Sequence, residues 1–191
     1  MTRGLIVLVL GTVPTLLSAQ LGEFQIGVVG SYGRRDPYRE GAGLALGVAP
    51  GRLVYVGLRW IYYRGATTAQ FAPPPAGPAQ VWNHAQVFAT DLDLQIPALG
   101  GLLETRPTVG LGVVRFAQRG RPAGGEISAQ SKEFFAAPGL ALQLNAGRIA
   151  VIPQLQYYFT GRTELSWPVH NKSLALSLRL VWWSEVRRIR R

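Results

Sequence analysis

The 191-residue chain contains no cysteine, which excludes a disulfide framework and any thiolate-ligated metal site. Its two histidines, His84 and His170, stand far apart in sequence, so neither a metal site nor a cofactor is expected. Charge is also scarce: 16% of residues are charged, against about 25% in ordinary soluble domains. Acidic residues number 10 against 20 basic ones, for a net charge of +10. The cations are scattered and accompany no nucleic-acid-binding motif, so no nucleic-acid partner is expected. No segment offers 18 uninterrupted apolar residues, which leaves no helical membrane span.

What the chain does have is glycine, 23 residues in all, which disfavours helices and suits turns and crowded strands. Residues 1–20, MTRGLIVLVLGTVPTLLSAQ, carry a basic start at Arg3, an apolar run from Leu5 to Leu17, then Ser18-Ala19. This pattern predicts a secretory signal peptide over 1–19, since Gly11 and Pro14 interrupt the run and it is short for a membrane anchor. One domain is expected over 20–186, followed by a basic tail at 187–191.

Eight segments read as strands: 23–33, 41–49, 53–64, 85–98, 106–118, 134–146, 148–159 and 172–183. In the last of them, Leu174, Leu176, Leu178, Leu180 and Trp182 alternate with Ala175, Ser177, Arg179 and Val181. Period two places the two sets on opposite faces of a strand. The third segment sets Val54, Val56, Leu58, Trp60 and Tyr62 against Tyr55, Gly57, Arg59, Ile61 and Tyr63. The mixed faces hold Gly, Ala and Gln and almost no Lys or Glu, unlike a solvated surface. Small residues there fit the interior of a narrow eight-stranded barrel.

Connections alternate long and short without exception. RRDPYREG, GATTAQFAPPPAGPAQVWNH, RGRPAGGEISAQSKE and TGRTELSWPVHN are long, whereas PGR, LGGLLET and AGR are brief. Successive hairpins place the long links at one end and the tight turns at the other, as in a transmembrane barrel. Aromatic residues gather near the strand ends: Trp60, Tyr62 and Tyr63, Phe134 and Phe135, Tyr157 to Phe159, Trp182 and Trp183. They are expected to form lipid-boundary girdles, with Trp60, Tyr62, Tyr157 and Trp182 as the leading members.

The chain therefore resembles the small outer-membrane β-barrel family, the OmpA-like and OmpX-like proteins of Gram-negative bacteria. The likeness covers nearly all of 23–183 and includes phrases such as RPTVGLGVV and APGLALQLNAGRIAVIPQLQYYF. It implies an all-β, eight-stranded antiparallel up-and-down barrel in the bacterial outer membrane, monomeric and set among lipid and lipopolysaccharide. It also implies passage through periplasmic chaperones and the barrel-assembly machinery. The family commonly ends on an aromatic residue; here SEVRRIRR follows Trp183.

Arg59, Asp91, Asp93 and Arg179 fall on the mixed faces, with Gln154 and Gln156. A lone buried charge is costly, so a paired polar network filling the lumen is expected, Arg59 with Asp91 or Asp93 and Arg179 reaching across. A narrow pore gated by such pairs is the alternative. Near the long links, Arg64, Arg115, Arg119 and Arg121 are candidate contacts for lipopolysaccharide phosphates, which Arg can grip bidentately. A lipid A-modifying enzyme would need His, Ser and a carboxylate. HNKS places Ser173 three residues after His170, which on one strand puts them on opposite faces, so no catalytic residue is expected. A soluble carrier with the apolar faces inside is the remaining alternative.

Overall fold

The structure is a computed structural model describing residues 23–51, 53–71, 78–122 and 125–184. The expected signal peptide, most of the Pro-rich link at 72–78 and the tail at 187–191 lie outside the described residues. The elements are β1 (Glu23–Gly33), β2 (Glu40–Ala49), β3 (Val54–Tyr63), β4 (Thr67–Phe71) and β5 (Pro78–Leu94). They continue with β6 (Ile96–Ala98), β7 (Leu103–Arg121), β8 (Ile127–Ala146), β9 (Ile149–Thr160) and β10 (Lys172–Trp183).

Every pairing is antiparallel, and β10 returns to β1, with Val28 opposite Leu180 and Ser31 opposite Ser177. Around the cylinder run β1, β2, β3, β5, β7, β8, β9 and β10, so eight staves close on themselves. Closure leaves the staves no free edge within hydrocarbon, where an unpaired backbone group would cost several kcal/mol. Short β6 carries the β5 stave onward after Gln95, and β4 adds to β5 above the barrel. At the tight-turn end, Gly147 takes a positive φ of 67° between β8 and β9, a conformation glycine adopts without a Cβ clash.

Side chains divide as the alternation predicts. Leu176, Leu178 and Leu180 are 58%, 55% and 51% exposed, whereas Ala175, Ser177 and Arg179 between them are buried. The same inversion runs round the cylinder, with Leu44, Leu58, Leu92, Leu111, Leu140 and Leu155 all on the outside. A leucine left in water forgoes about 1.5–3 kcal/mol relative to burial. A continuous belt of this kind is the surface of a protein that spans a membrane.

Two expectations need correcting. First, β5, β7 and β8 run further toward the long-link end than the apolar pattern indicated, so much of the third and fifth links is strand. The outer faces of these extensions carry Gln80, Ser128, Gln130 and Lys132, a polar alternation that gives no lipid signature. Second, several of the strand-end aromatics belong to the interior. Trp60, Tyr157 and Trp182 point outward, but Tyr63, Phe135, Tyr158 and Trp183 are buried, because consecutive strand residues must face opposite ways. Tyr62 keeps the outward parity of Trp60 and is half-buried, its ring 5.9 Å from His84.

Candidate functional site

The lumen is the most heavily constructed part of the molecule. Near mid-barrel, Arg59 Nη2 lies 3.1 Å from Asp91 Oδ1, and Arg59 also donates to Gln156 Oε1. Adjacent staves bring Arg59 and Asp91 together, since β3 pairs with β5 and Gly57 stands opposite Asp91. Arg179 comes from the far wall and reaches Asp93 at 3.5 Å and Asp91 at 3.9 Å. The expected partners thus meet. Gln154 donates to Thr108 Oγ1 at 3.4 Å, and Gln156 Nε2 donates to the Ala137 carbonyl at 3.3 Å.

Two charged members of this network escaped the sequence reading. Arg106 Nη2 lies 2.8 Å from Asp93 Oδ2, and Arg106 also donates to Gln143. Glu104 accepts from Asn145 Nδ2 at 3.0 Å. Arg106 and Glu104 share the inward parity of Thr108 and Gly110 on β7, a signal the sequence carried at the edge of the fifth segment. Three guanidinium groups therefore face three carboxylates, Asp91, Asp93 and Glu104, in a space closed to solvent. Buried charges persist when opposite partners offset their desolvation, and here Arg59, Arg106 and Arg179 each form an ion pair with Asp91 or Asp93.

Glycines open the room these groups need. A Cβ at Gly47 or Gly57 would lie 2.3 or 2.5 Å from the Tyr55 hydroxyl, so Tyr55 occupies space that larger residues would take. Its ring receives the Arg106 guanidinium at 4.5 Å. Toward the tight turns, Tyr55 and Trp183 pack with Ala49, Ala141, Ala150, Ile152 and Val181.

The long-link end is sealed by loops. Residues 34–39 fold inward and bury Tyr38, which meets Tyr63, Phe116 and Tyr158 edge-to-face at 5.5, 5.9 and 5.2 Å. Beneath this cap, Tyr63 Oη sits 2.8 Å from Ser31 Oγ and 3.0 Å from Tyr158 Oη. Asp36 fastens the loop: its Oδ1 accepts from the Ala66 amide at 2.7 Å and its Oδ2 from Asn83 Nδ2 at 3.0 Å. Burial raises the Asp36 pKa, outweighing the hydrogen bonds and the Arg39 and His170 charges that lower it. From the last link, Trp167 is buried against Val81, with its amide and carbonyl held by Gln118. Neither Tyr38 nor Trp167 advertised an inward role, because both sit in links without periodicity.

Among the described residues, Ser173 and Asp36 make their hydrogen bonds to groups other than His170. Ser173 Oγ is taken by the Arg35 amide and the Leu174 carbonyl, each at 3.3 Å, and both Asp36 oxygens are engaged as above. Among the described residues there is no group of three metal-ligating side chains.

The four candidate rim arginines separate. Arg115 and Arg119 share the outer face of β7, and both line a cavity of about 390 Å³ with His84, Gln86, Ser128 and Gln130. Arg121 stands at the strand tip, 3.9 Å from Glu126 and largely exposed. Arg64 is exposed after β3, where its carbonyl accepts from Trp82 Nε1 at 3.0 Å; neither of these two reaches the cavity.

No protein-family model matches the chain, and no curated protein is detectably similar in sequence. Similar architecture is found among solved structures. A major outer membrane protein from Thermus thermophilus superposes with a TM-score of 0.65 at 12% identity, over 84% of this chain and 98% of that one. The N-terminal β-barrel domain of Pseudomonas aeruginosa OprF gives 0.54 at 11% identity, over 84% and 96%. The fold of this chain is that of the small bacterial outer-membrane β-barrels.

Proposed function

We propose that the chain is a monomeric, non-enzymatic integral protein of the bacterial outer membrane whose lumen is a brace and not a conduit. The observation that carries this reading is the filled axis. An aromatic cap centred on Tyr38 lies over the Arg59, Arg106 and Arg179 carboxylate network, which in turn lies over Tyr55 and Trp183. An ion entering would have to displace paired charges from a low-dielectric space, where their attraction is strongest. The role that fits is structural or surface-interacting: a rigid membrane anchor that holds the β4–β5–β7–β8 extension beyond the apolar belt. Biogenesis would follow the barrel route, through periplasmic chaperones and the assembly machinery.

Recording from planar bilayers tests the reading. The purified protein is expected to give no steady conductance, whereas stable open channels would replace the brace with a pore. Incubation with lipid A followed by mass analysis tests the absence of catalysis; a deacylated or acylated product would overturn it.

A further inference from the structure

The outer wall offers a second feature, independent of the lumen. On the outward faces of β5, β7 and β8 the registers stack rows across three strands. Phe88, Val113 and Phe134 form one row, with Phe88 50% and Phe134 83% exposed. The next row outward is Gln86, Arg115 and Lys132, then His84, Ala117 and Gln130, then Trp82, Arg119 and Ser128. The apolar exterior thus ends in a single step, and cations begin on the row above it.

The cavity of about 390 Å³ lies directly above this step, its lining beginning on the row of Gln86 and Arg115. Among the described residues its cations are Arg115 and Arg119, and Glu126 is its one acidic lining residue. Arg115 Nη2 donates to Gln130 Oε1 at 2.6 Å, which holds the guanidinium over the cavity. Gln86, Ser128 and Gln130 add neutral hydrogen-bonding groups, suited to hydroxyls as the arginines are suited to phosphate. His84, stacked on Trp82 at 4.4 Å, is above the apolar row and outside the membrane-spanning part of β5. Its pKa is lowered by burial first and then by Arg119 and Arg115, in keeping with a positive local field.

We propose that this cavity binds the phosphorylated sugar headgroup of an outer-leaflet glycolipid, with the acyl chains descending over Phe88, Val113 and Phe134. The phosphate lies between Arg115 and Arg119, and the sugar hydroxyls meet Gln86, Ser128 and Gln130. The polar cavity and the apolar row below it match the two halves of such an amphiphile in the order the membrane imposes. A free phosphate or sugar phosphate would use the cations but leave the apolar row idle.

Native mass spectrometry of the folded protein in detergent tests this, with lipid A, dephosphorylated lipid A and glucosamine 1-phosphate as probes. One phosphorylated lipid per protein is expected, with weaker retention of the other two. The Arg115→Gln/Arg119→Gln variant is expected to bind lipid A at least about tenfold more weakly, since each arginine supplies charge-assisted hydrogen bonds. Arg34→Gln/Arg162→Gln, which removes two exposed cations elsewhere, is expected to bind as the parent does. Heat-dependent gel migration checks that each variant is folded. Equal loss in both double variants would reduce the effect to net charge and overturn the site. Equal binding of dephosphorylated lipid, or of the soluble sugar phosphate, would overturn the phosphoglycolipid assignment. None of these outcomes depends on whether the lumen conducts.

Discussion

Arg106 and Tyr55 meet inside the barrel, the guanidinium 4.5 Å above the ring centroid, while the same arginine holds Asp93 at 2.8 Å. One cation thereby joins the charge network to the aromatic floor of the lumen. Asp93 serves two arginines, since Arg179 also reaches it.

Asp93→Asn leaves two buried guanidinium groups without that carboxylate. Removing one partner of a buried ion pair costs about 3–5 kcal/mol, because the charge left behind stays desolvated. Urea unfolding of the protein in lipid vesicles is expected to show a loss of this size. A change under about 1 kcal/mol, the value of an exposed pair, would mean that the network does not brace the barrel.

Tyr38→Ala removes the ring that ties residues 34–39 to Tyr63, Phe116 and Tyr158. Deleting a buried aromatic side chain costs about 3–5 kcal/mol, and here the loop absorbs it by undocking while the staves stay closed. Trypsin is expected to cut the variant at Arg34, Arg35 or Arg39 and to spare the parent. Resistance in both would show that Tyr38 does not hold the loop.

The Asp36 contact makes loop docking depend on pH. Its pKa in the folded protein is raised, so docking favours the protonated carboxyl. The contribution is complete below the unfolded value of about 3.9 and is lost as pH rises through the raised one. Nuclear magnetic resonance of the Tyr38 ring in micelles is expected to report looser docking with rising pH, and Asp36→Asn to abolish the trend. Tightening with rising pH would contradict the sign.

Gly120 leaves room for Trp167: a Cβ there would fall 2.3 Å from the indole. Gly120→Val is therefore expected to expel Trp167 and shift part of the tryptophan emission to the red, a change absent when Trp167→Phe is already present. An unaltered spectrum would place Trp167 elsewhere.

The staves were legible in the sequence because the membrane imposes a strict period of two, so Leu174 through Trp182 announce both the strand and its outward face. A pairing of Arg59 with Asp91 or Asp93 was legible too, since neighbouring staves must bring inward charges of opposite sign together; the structure selects Asp91. Arg106 was missed because it opens its apolar segment, where an end residue looks like a boundary. The extensions at 78–84 and 127–133 were hidden because strands outside lipid need no apolar face. Tyr38 and Trp167 could not be read at all: links carry no periodicity, and a residue's return into the barrel depends on contacts far away in sequence.

The central claim is that the apolar faces meet lipid while the small and polar faces fill the axis. Because the chain lacks cysteine, single spin labels can be placed through Leu176→Cys, Ser177→Cys and Leu178→Cys and their collision rates measured in vesicles. The account predicts high oxygen accessibility at 176 and 178 and an immobilised, inaccessible label at 177. Labels immobilised at 176 and 178 with a mobile, water-exposed one at 177 would contradict it.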